Sequence, residues 1–268
     1  MKKIIFFILI SFSSCISIQR YEKIKIAGSD TMYKLLEILS AVYMKNNPNV
    51  SIYVTGGGTE YGFQGLENGQ ADIAMASRNI HSDELKIIID KFNSIGISHL
   101  IAKDAIVIYV NSNNPVENLS IEDLNKIYLC KINNWKDLGW KNQEILAYRR
   151  MSTSGTYHYF KSHILNGEDY CQNIIAIQNH ETLISLIEQN ENSIGFGGLG
   201  NHSDAKPIKV NNIYPLTENI KKDKYPLTRY LQLFTISEPK GYVRDFINWI
   251  MSNEGQNIIK NFGYVGIL

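Results

Sequence analysis

The amino-acid sequence predicts an α/β protein, and two of its features carry that prediction. Short apolar strands alternate along the chain with amphipathic segments in which apolar residues recur every three or four positions. Turns rich in glycine and hydroxyl residues join several of these strands to the helices that follow them. Because strands separated by helices usually pair in parallel, we expect a parallel sheet flanked by helices. The 268 residues suffice for one large domain or two of ordinary size.

Three strand–turn–helix units occupy the first third of the chain. Their strands, at 23–27, 51–55 and 73–76, are short and apolar, and each is followed by apolar positions at helical spacing. The connecting turns are Gly28-Ser29-Asp30-Thr31, Gly56-Gly57-Gly58-Thr59 and Ser77-Arg78-Asn79. Each turn therefore places hydroxyl groups close to the start of a predicted helix.

The rest of the chain alternates in a similar way. A strand at 106–110 precedes the turn-rich segment 111–115, where we expect the chain to cross into a second domain. The elements that follow are a helix after Ser120, the segment 144–149, a helix that opens at Arg150–Thr156, a helix at 181–189, a strand at 193–196, a polar stretch at 211–224, a strand at 230–235 and closing helices around Phe246 and Ile259.

Composition and charge exclude several classes of protein. The hydrophobic fraction of 44% and the charged fraction of 20% are ordinary for a globular protein, so we do not expect a disordered chain. The formal net charge is +1, and removal of Lys2 and Lys3 with an N-terminal signal would change it to −1. This balance gives no support for a nucleic-acid partner.

Residues 1–15 resemble a bacterial export signal. An apolar run at 4–12, preceded by lysines, is too short to span a membrane. Cys15 follows small residues, as in lipoprotein signals whose cysteine is lipidated and becomes the mature N-terminus, although Phe12 stands where an aliphatic residue is usual. We therefore expect a lipid anchor on Cys15 and a location on the outer side of the cytoplasmic membrane. Cleavage nearby, which would release a soluble protein, is the alternative.

Two further cysteines, Cys130 and Cys171, lie in different predicted elements. An oxidising compartment would permit a disulfide between them. Two free or buried thiols are an alternative of at least equal weight, because the geometry of a bridge cannot be judged from sequence.

Four strand-to-helix junctions carry the residue types that bind an oxyanion. Three are the turns given above, and the fourth is Arg150-Met151-Ser152-Thr153-Ser154-Gly155-Thr156. A helix N-terminus presents unpaired N–H groups and a partial positive charge, to which hydroxyls and a guanidinium add further donors. Ordinary turn and capping chemistry explains any one junction alone. Since strand ends gather at one edge of an α/β sheet, the four together predict an anion site.

Other binding and catalytic motifs are incomplete. The segment 56–62 lacks the Gly-Lys-Ser/Thr ending of a nucleotide phosphate loop, and Ser154 lacks the Gly-x-Ser-x-Gly pattern of serine esterases. No cysteine pair has the spacing of a zinc site, and the histidines at 158, 163, 180 and 202 are scattered. We therefore expect neither a metal nor a cofactor.

Ten segments spread over nearly the whole mature chain form an ordered set: Ile26–Met32, Gly56–Thr59, Ala71–Arg78, Ile101–Ala105, Asn114–Val116, Asn134–Gly139, Arg150–Thr156, Ile194–Phe196, Tyr225–Arg229 and Ser252–Gln256. Their order and spacing resemble the phosphate-binding proteins of bacterial phosphate ABC transporters. The resemblance implies a type II periplasmic-binding-protein fold, in which two α/β lobes joined by two crossing strands close on one ligand. It places lobe 1 at 16–103 and 226–268 and lobe 2 at 104–225, after the signal at 1–15.

The same resemblance implies a set of phosphate ligands, matched position by position. They are Ser29, Thr31, the amide of Met32, Thr59, Ser77 and Arg78 from lobe 1, and Arg150, Ser154, Gly155 and Thr156 from lobe 2.

Two positions depart from the best-known members of this family. Those members have Ser-Asp in the third motif, and the aspartate accepts a hydrogen bond from protonated phosphate and so rejects sulfate. Here Arg78 follows Ser77, as in another branch of the family, so the acceptor would have to be Asp30, Glu60 or a backbone carbonyl. Ser152 also stands where an aspartate usually supports the arginine.

The sequence thus predicts a monomeric receptor that binds inorganic phosphate and delivers it to the permease and ATPase subunits of an ABC transporter, without catalysis. A receptor for another tetrahedral oxyanion, such as sulfate, is the first alternative. A phosphohydrolase with Ser154 or Thr156 as nucleophile lacks a base and a metal set at sensible spacing. An adhesin or sensor built on the same fold is a further alternative.

Overall fold

The computed structural model describes residues 21–199 and 204–268 and shows a mixed α/β fold. The strands are β1 (Glu22–Gly28), β2 (Val50–Thr55), β3 (Ile73–Ala76), β4 (Ile97–Ala105), β5 (Val107–Val110), β6 (Asn118–Leu119), β7 (Leu146–Arg150), β8 (Ile175–Ile177), β9 (Ser193–Gly197), β10 (Lys206–Pro207), β11 (Lys209–Val210), β12 (Thr228–Thr235) and β13 (Val265–Gly266). The helices are α1 (Asp30–Asn46), α2 (Thr59–Glu67), α3 (Ser82–Phe92), α4 (Ile121–Tyr128), α5 (Gly155–His163), α6 (His180–Gln189), α7 (Thr217–Lys221), α8 (Gly241–Ile250) and α9 (Asn253–Asn261), with a 3-10 turn at Trp135–Leu138.

Lobe 1 is built on a six-stranded sheet in the order β13-β4-β12-β3-β1-β2. Strand β1 pairs in parallel with both β2 and β3, whereas β12 is antiparallel to β3 and to β4. Helices α1 and α8 bury their apolar faces in the core of this lobe through Leu35, Leu36 and Phe246, which have no exposed surface. This packing holds the carboxyl ends of β1, β2 and β3 side by side.

Lobe 2 is built on a five-stranded sheet in the order β10-β5-β9-β7-β8, with β7 parallel to both β8 and β9. Phe160 of α5 stacks on Phe196 of β9 in its core, with ring centroids 3.9 Å apart. Cys130 and Cys171 form a disulfide, with Cα atoms 6.0 Å apart. Of the two alternatives that the sequence leaves open for these cysteines, the structure thus has the bridge. The Phe160–Phe196 stack and the disulfide both belong to the hydrophobic core of lobe 2, against which α5 packs.

Two adjacent strands carry the chain between the lobes. Strand β4 ends in the first sheet at Ala105 and β5 begins in the second at Val107, while the chain returns through β12, which starts at Thr228. The two-lobed α/β fold is thus confirmed, and the parallel pairing expected of the first three strands is present in β1, β2 and β3. Both sheets are mixed, and in lobe 1 the reason is that β4 and β12 carry the chain in opposite directions. The crossings lie within a few residues of the predicted lobe limits at 103/104 and 225/226, which we retain as proposed limits.

Helices long and apolar enough to cross a membrane are absent from residues 21–199 and 204–268. The predicted export signal, the lipidation site Cys15 and His202 lie outside the described residues.

Candidate functional site

The four predicted junctions come together between the lobes. Three of them follow β1, β2 and β3 in lobe 1, and the fourth follows β7 in lobe 2. Helices α1, α2 and α5 begin within these junctions, at Asp30, Thr59 and Gly155. Small and hydroxyl residues occupy the turns because the chain reverses there and the helix starts need capping groups.

Five hydroxyl groups form the hydroxyl cluster of the site. Ser77 Oγ lies 3.1 Å from Ser29 Oγ and 3.3 Å from Thr59 Oγ1. Thr31 Oγ1 lies 3.2 Å from Thr156 Oγ1, and this contact joins lobe 1 to lobe 2. All of these residues except the half-buried Thr31 are buried. The structure therefore brings five of the predicted ligands together as a trio in lobe 1 and a pair across the lobes, and Arg229 Nη1 links the two through Ser77 O and Thr156 Oγ1.

The start of α5 contacts this cluster directly. Ser154 caps the helix, since its Oγ accepts a hydrogen bond from the N–H of Thr156 at 3.2 Å. A Cβ atom on Gly155 would lie 2.4 Å from Thr59 Oγ1 and 2.5 Å from Ser77 Oγ. Because real Cβ atoms do not approach so closely, only glycine lets this helix end pack against lobe 1.

Arg150 is buried at the end of β7, with only 1% of its surface exposed. Its Nη2 donates to Asp30 Oδ2 at 2.6 Å and to the carbonyl of Gln178 at 2.8 Å, while its buried Nε has no partner among residues 21–199 and 204–268. Asp30 also accepts the N–H of Gly57 at 2.8 Å. Burial lowers the pKa of Arg150, and the charge of Asp30 opposes this. Asp30 of lobe 1 thus supports the Arg150 guanidinium from across the cleft.

Arg78 uses its guanidinium differently. Its Nη1 and Nη2 donate to the two carboxylate oxygens of Glu84, each at 2.7 Å, and Nη1 also donates to the carbonyl of Asn79 at 2.9 Å. Glu84 in turn accepts the N–H of His81, and the Arg78 guanidinium lies 5.4 Å from the centre of the Phe63 ring. The hydrogen bonds of this predicted ligand therefore go to its own lobe and not to the hydroxyl cluster.

A buried ion pair of the site, Arg229 with Asp104, is not among the ligands predicted from the sequence. Arg229 Nε and Nη2 lie 2.9 and 2.8 Å from Asp104 Oδ2, and Arg229 Nη1 donates to Thr156 Oγ1 at 2.9 Å. Both residues fall in segments that carried the family resemblance, Ile101–Ala105 and Tyr225–Arg229, but no glycine turn or helix start marks them. Their register, Arg229 opposite Asp104 on β12 and β4, is visible only in the folded protein.

Two more groups fix the surroundings of the cluster. The hydroxyl of Tyr264 donates to the carbonyl of Thr31 at 2.7 Å, and the predicted ligand Met32 directs its N–H to the carbonyl of Ser29 at 3.0 Å. These bonds hold the first turn of α1 in place.

His180, the first residue of α6, is buried and lies within the field of both site arginines. Burial, together with the positive charges of Arg150 and Arg229, lowers the pKa of His180 to about 3. The imidazole is therefore neutral at neutral pH and adds no third positive charge.

The arrangement is suited to holding an anion and offers little for hydrolysis. Among the residues described, neither Ser154 Oγ nor Thr156 Oγ1 is hydrogen-bonded to a histidine or a carboxylate that could act as a base. No group of three or more histidine, cysteine, aspartate or glutamate residues with the geometry of a metal site occurs in the same part of the chain. What the site does offer is a set of buried donors that both lobes supply.

Comparison with known proteins agrees with this geometry. A family model described as the PBP superfamily domain matches residues 16–254. The phosphate-binding protein PstS of Staphylococcus saprophyticus is 30% identical over 266 residues, which covers 91% of this chain and 80% of that protein. PstS of Borreliella burgdorferi is 28% identical and is matched over 100% of this chain and 99% of its own length.

A solved structure is similar as well. A phosphate ABC transporter substrate-binding protein of Clostridium perfringens, crystallised with bound phosphate, superposes with a TM-score of 0.86 at 26% identity. The match covers 92% of this chain and all of that one. The chain therefore belongs to the PBP superfamily and, within it, to the family of PstS phosphate-binding proteins.

Proposed function

We propose that this protein binds inorganic phosphate between its lobes, outside the cytoplasmic membrane, and delivers it to the permease and ATPase subunits of a phosphate ABC transporter. The observation that supports this most directly is the convergence of Arg150 and the hydroxyl cluster from two lobes. The relatives named PstS and the phosphate in the C. perfringens structure support the choice of anion. The family is one of substrate-binding transport proteins, so we propose no catalysis.

We assign direct contacts with phosphate to the hydroxyl cluster, to Arg150 and Ser154, and to the N–H groups at the starts of α1 and α5. Arg150 is suited to this because, in the described part of the chain, its hydrogen bonds are made by Nη2, and a guanidinium can bind two oxygens of one anion at once. Arg78 keeps its place beside Ser77, but its bidentate pair with Glu84 supports a role in shaping the turn after β3.

Binding and closure follow from the same contacts. The ion pair of Arg150 with Asp30 and the contact of Thr31 with Thr156 both join one lobe to the other. An anion that accepts hydrogen bonds from both lobes stabilises the closed arrangement more than an open one, and so shifts the equilibrium between them.

Isothermal titration calorimetry with phosphate tests this proposal. We expect saturable binding of one phosphate per chain with a Kd in the micromolar range or below. The R244Q variant, which changes an exposed arginine on α8, is the control and should bind as the wild type does. Absence of binding at millimolar phosphate would contradict the proposal.

A receptor for sulfate is a second candidate, and the site carboxylates favour it. Asp30 accepts hydrogen bonds from Arg150 and Gly57, and Asp104 from Arg229 and Leu199, so both carboxylates have fewer lone pairs for the proton of phosphate than an unpaired aspartate. Competition by sulfate in the calorimetric titration decides between them. A sulfate Kd equal to or below the phosphate Kd would favour the second candidate.

We also propose that the mature protein is a monomer anchored to the membrane by a lipid on Cys15. The apolar run and the position of the cysteine at its end support this. Mass spectrometry of the mature N-terminus and detergent phase partitioning of the wild type and of C15A test the anchor. Partitioning of the wild type into the aqueous phase would contradict it, and sedimentation of a soluble variant tests the monomer.

A further inference from the structure

Arg229 is a buried cation of the site that the predicted ligand set does not include. Only 4% of its surface is exposed, and it lies on β12 opposite Asp104 of β4. Asp104 Oδ2 lies 2.9 Å from its Nε and 2.8 Å from its Nη2, while Asp104 Oδ1 accepts the N–H of Leu199 at 2.8 Å. The guanidinium is therefore fixed against the two strands that connect the lobes.

Other N–H groups of Arg229 face three of the predicted ligands. Its Nη1 lies 2.9 Å from Thr156 Oγ1 and 3.4 Å from the carbonyl oxygen of Ser77, and its Nη2 lies 3.4 Å from Thr31 Oγ1. Thr31 belongs to lobe 1 and Thr156 to lobe 2, and their hydroxyl oxygens are 3.2 Å apart. One side chain on a connecting strand thus reaches a hydroxyl of each lobe.

The chemistry of arginine decides how these hydroxyls are used. A guanidinium has five N–H donors and no acceptor, so the oxygens of Thr31 and Thr156 accept hydrogen bonds from Arg229. A hydroxyl that accepts a hydrogen bond from a fixed donor directs its own O–H away from that donor. A hydroxyl without such a neighbour can rotate and either donate or accept. An anion oxygen that carries no proton can only accept.

We propose that Arg229 is a positioning residue: because it donates to both threonine oxygens, the O–H that is not used between Thr31 and Thr156 is directed toward an unprotonated oxygen of the bound oxyanion. This inference rests on the proposed function and adds a determinant of specificity to it. Arg229, Thr31 and Thr156 together favour an anion oxygen that carries no proton. A protonated oxygen is disfavoured, because its own O–H would need an acceptor. Because Thr156 reaches Arg229 only across the lobes, closure and donor orientation are linked.

A double-mutant cycle on phosphate affinity tests this role. The R229K variant keeps a positive charge beside Asp104 but removes the fork that reaches the threonines. The T156V variant removes the positioned hydroxyl. The matched variant is T59V, because the hydrogen bonds of Thr59 Oγ1 go to Ser77 and not to Arg229. Calorimetry gives the phosphate Kd for wild type, each single variant and each double variant.

We expect T156V to weaken phosphate binding by about 10- to 100-fold in the wild-type background and by less than about threefold in R229K. T59V should cause the same loss in both backgrounds. Equal losses for T156V in both backgrounds would mean that Arg229 serves the fold alone and would overturn the inference. If urea titration shows that R229K does not fold, the double variant R229Q/D104N, in which both charges are removed, replaces R229K as the background for T156V and T59V.

Failure of the inference and failure of the proposed function give different results. A wild-type protein that binds phosphate, with no coupling between Arg229 and Thr156, overturns the inference alone. A wild type that binds only sulfate overturns phosphate as the ligand, and the cycle run with sulfate should then show the same coupling, because its oxygens carry no proton. A wild type that binds neither anion overturns both.

Discussion

Arg150 and Arg78 have similar settings in sequence and different ones in the folded protein. Arg150 ends β7 and Arg78 comes two residues after β3, and both form buried ion pairs. The partner of Arg150 is Asp30 on the other lobe, whereas the partner of Arg78 is Glu84, six residues further along the same lobe. Arg78 engages both terminal nitrogens, while Arg150 engages one. What separates the two arginines is therefore the location of the partner and the number of terminal nitrogens it engages, and both favour Arg150 as the ligand.

The largest effect on phosphate affinity is expected for R150Q. The change removes the guanidinium and leaves Asp30 without its partner, and truncation of a buried charge pair typically costs about 2–5 kcal/mol. We expect calorimetry to show a loss of roughly 100-fold or more, with R244Q as the control. A loss below about threefold would mean that Arg150 serves only to join the lobes.

A smaller loss is expected for G155A. The added methyl group would lie 2.4 Å from Thr59 Oγ1 and so keeps α5 away from lobe 1. Overpacking of this kind costs about 1–3 kcal/mol, which corresponds to roughly a 5- to 150-fold weaker phosphate Kd. The exposed S162A change on the same helix is the control. Unchanged affinity in G155A would show that the contact between α5 and lobe 1 is not needed for binding.

R78Q is expected to change stability and leave phosphate affinity nearly unaltered. Loss of one partner from a buried pair leaves Glu84 uncompensated and costs about 3–5 kcal/mol in the free energy of unfolding. Urea unfolding should show this loss, while the phosphate Kd changes by less than about threefold. E84Q should behave in the same way, since it breaks the same pair. A large loss of binding at unchanged stability in R78Q would identify Arg78 as a ligand.

The smallest effect on affinity is expected for His180, which acts on the pH dependence of stability. Its pKa is about 3 in the folded protein and about 6.5 in an unfolded chain, so the unfolded state binds the proton first. The stability that depends on neutral His180 is complete above pH 6.5 and is lost as the pH falls below it. From pH 7.5 to pH 5.0 the free energy of unfolding should fall in both proteins. Urea unfolding should show a fall that is about 2 kcal/mol smaller in H180Q than in wild type.

The exposed H163Q change is the control for that experiment. Equal pH dependence in wild type and H180Q would show that the buried imidazole does not govern stability in this range.

Local patterns predicted much of the fold, because the residues that form a strand–turn–helix junction are adjacent in the sequence. The strands before Ser29, Thr59 and Ser77 and the helix that opens at Gly155 are all present in the structure. Strand β4 could not be read in the same way. It carries Lys103 and Asp104, which the pattern of a buried strand does not contain.

The structure explains why these charges are tolerated there. Lys103 Nζ lies 2.6 Å from a carboxylate oxygen of Asp223, and Asp104 is paired with Arg229. Both partners are more than 100 positions away in sequence, so no local window includes them. Burial of a charge is possible only with such compensation, and the compensation is a tertiary contact.

The sequence by itself determined the α/β class, the four hydroxyl-bearing junctions and the anion chemistry, because turns and helix starts depend on adjacent residues. The tertiary structure decided which charges take part. Asp30 supports Arg150 from 120 positions away, Arg229 joins the site through a pairing with Asp104 over 125 positions, and Arg78 is held by Glu84 within its own lobe. The role of a buried charge depends on its partner, and here two of the three partners meet only when the sheets and lobes assemble.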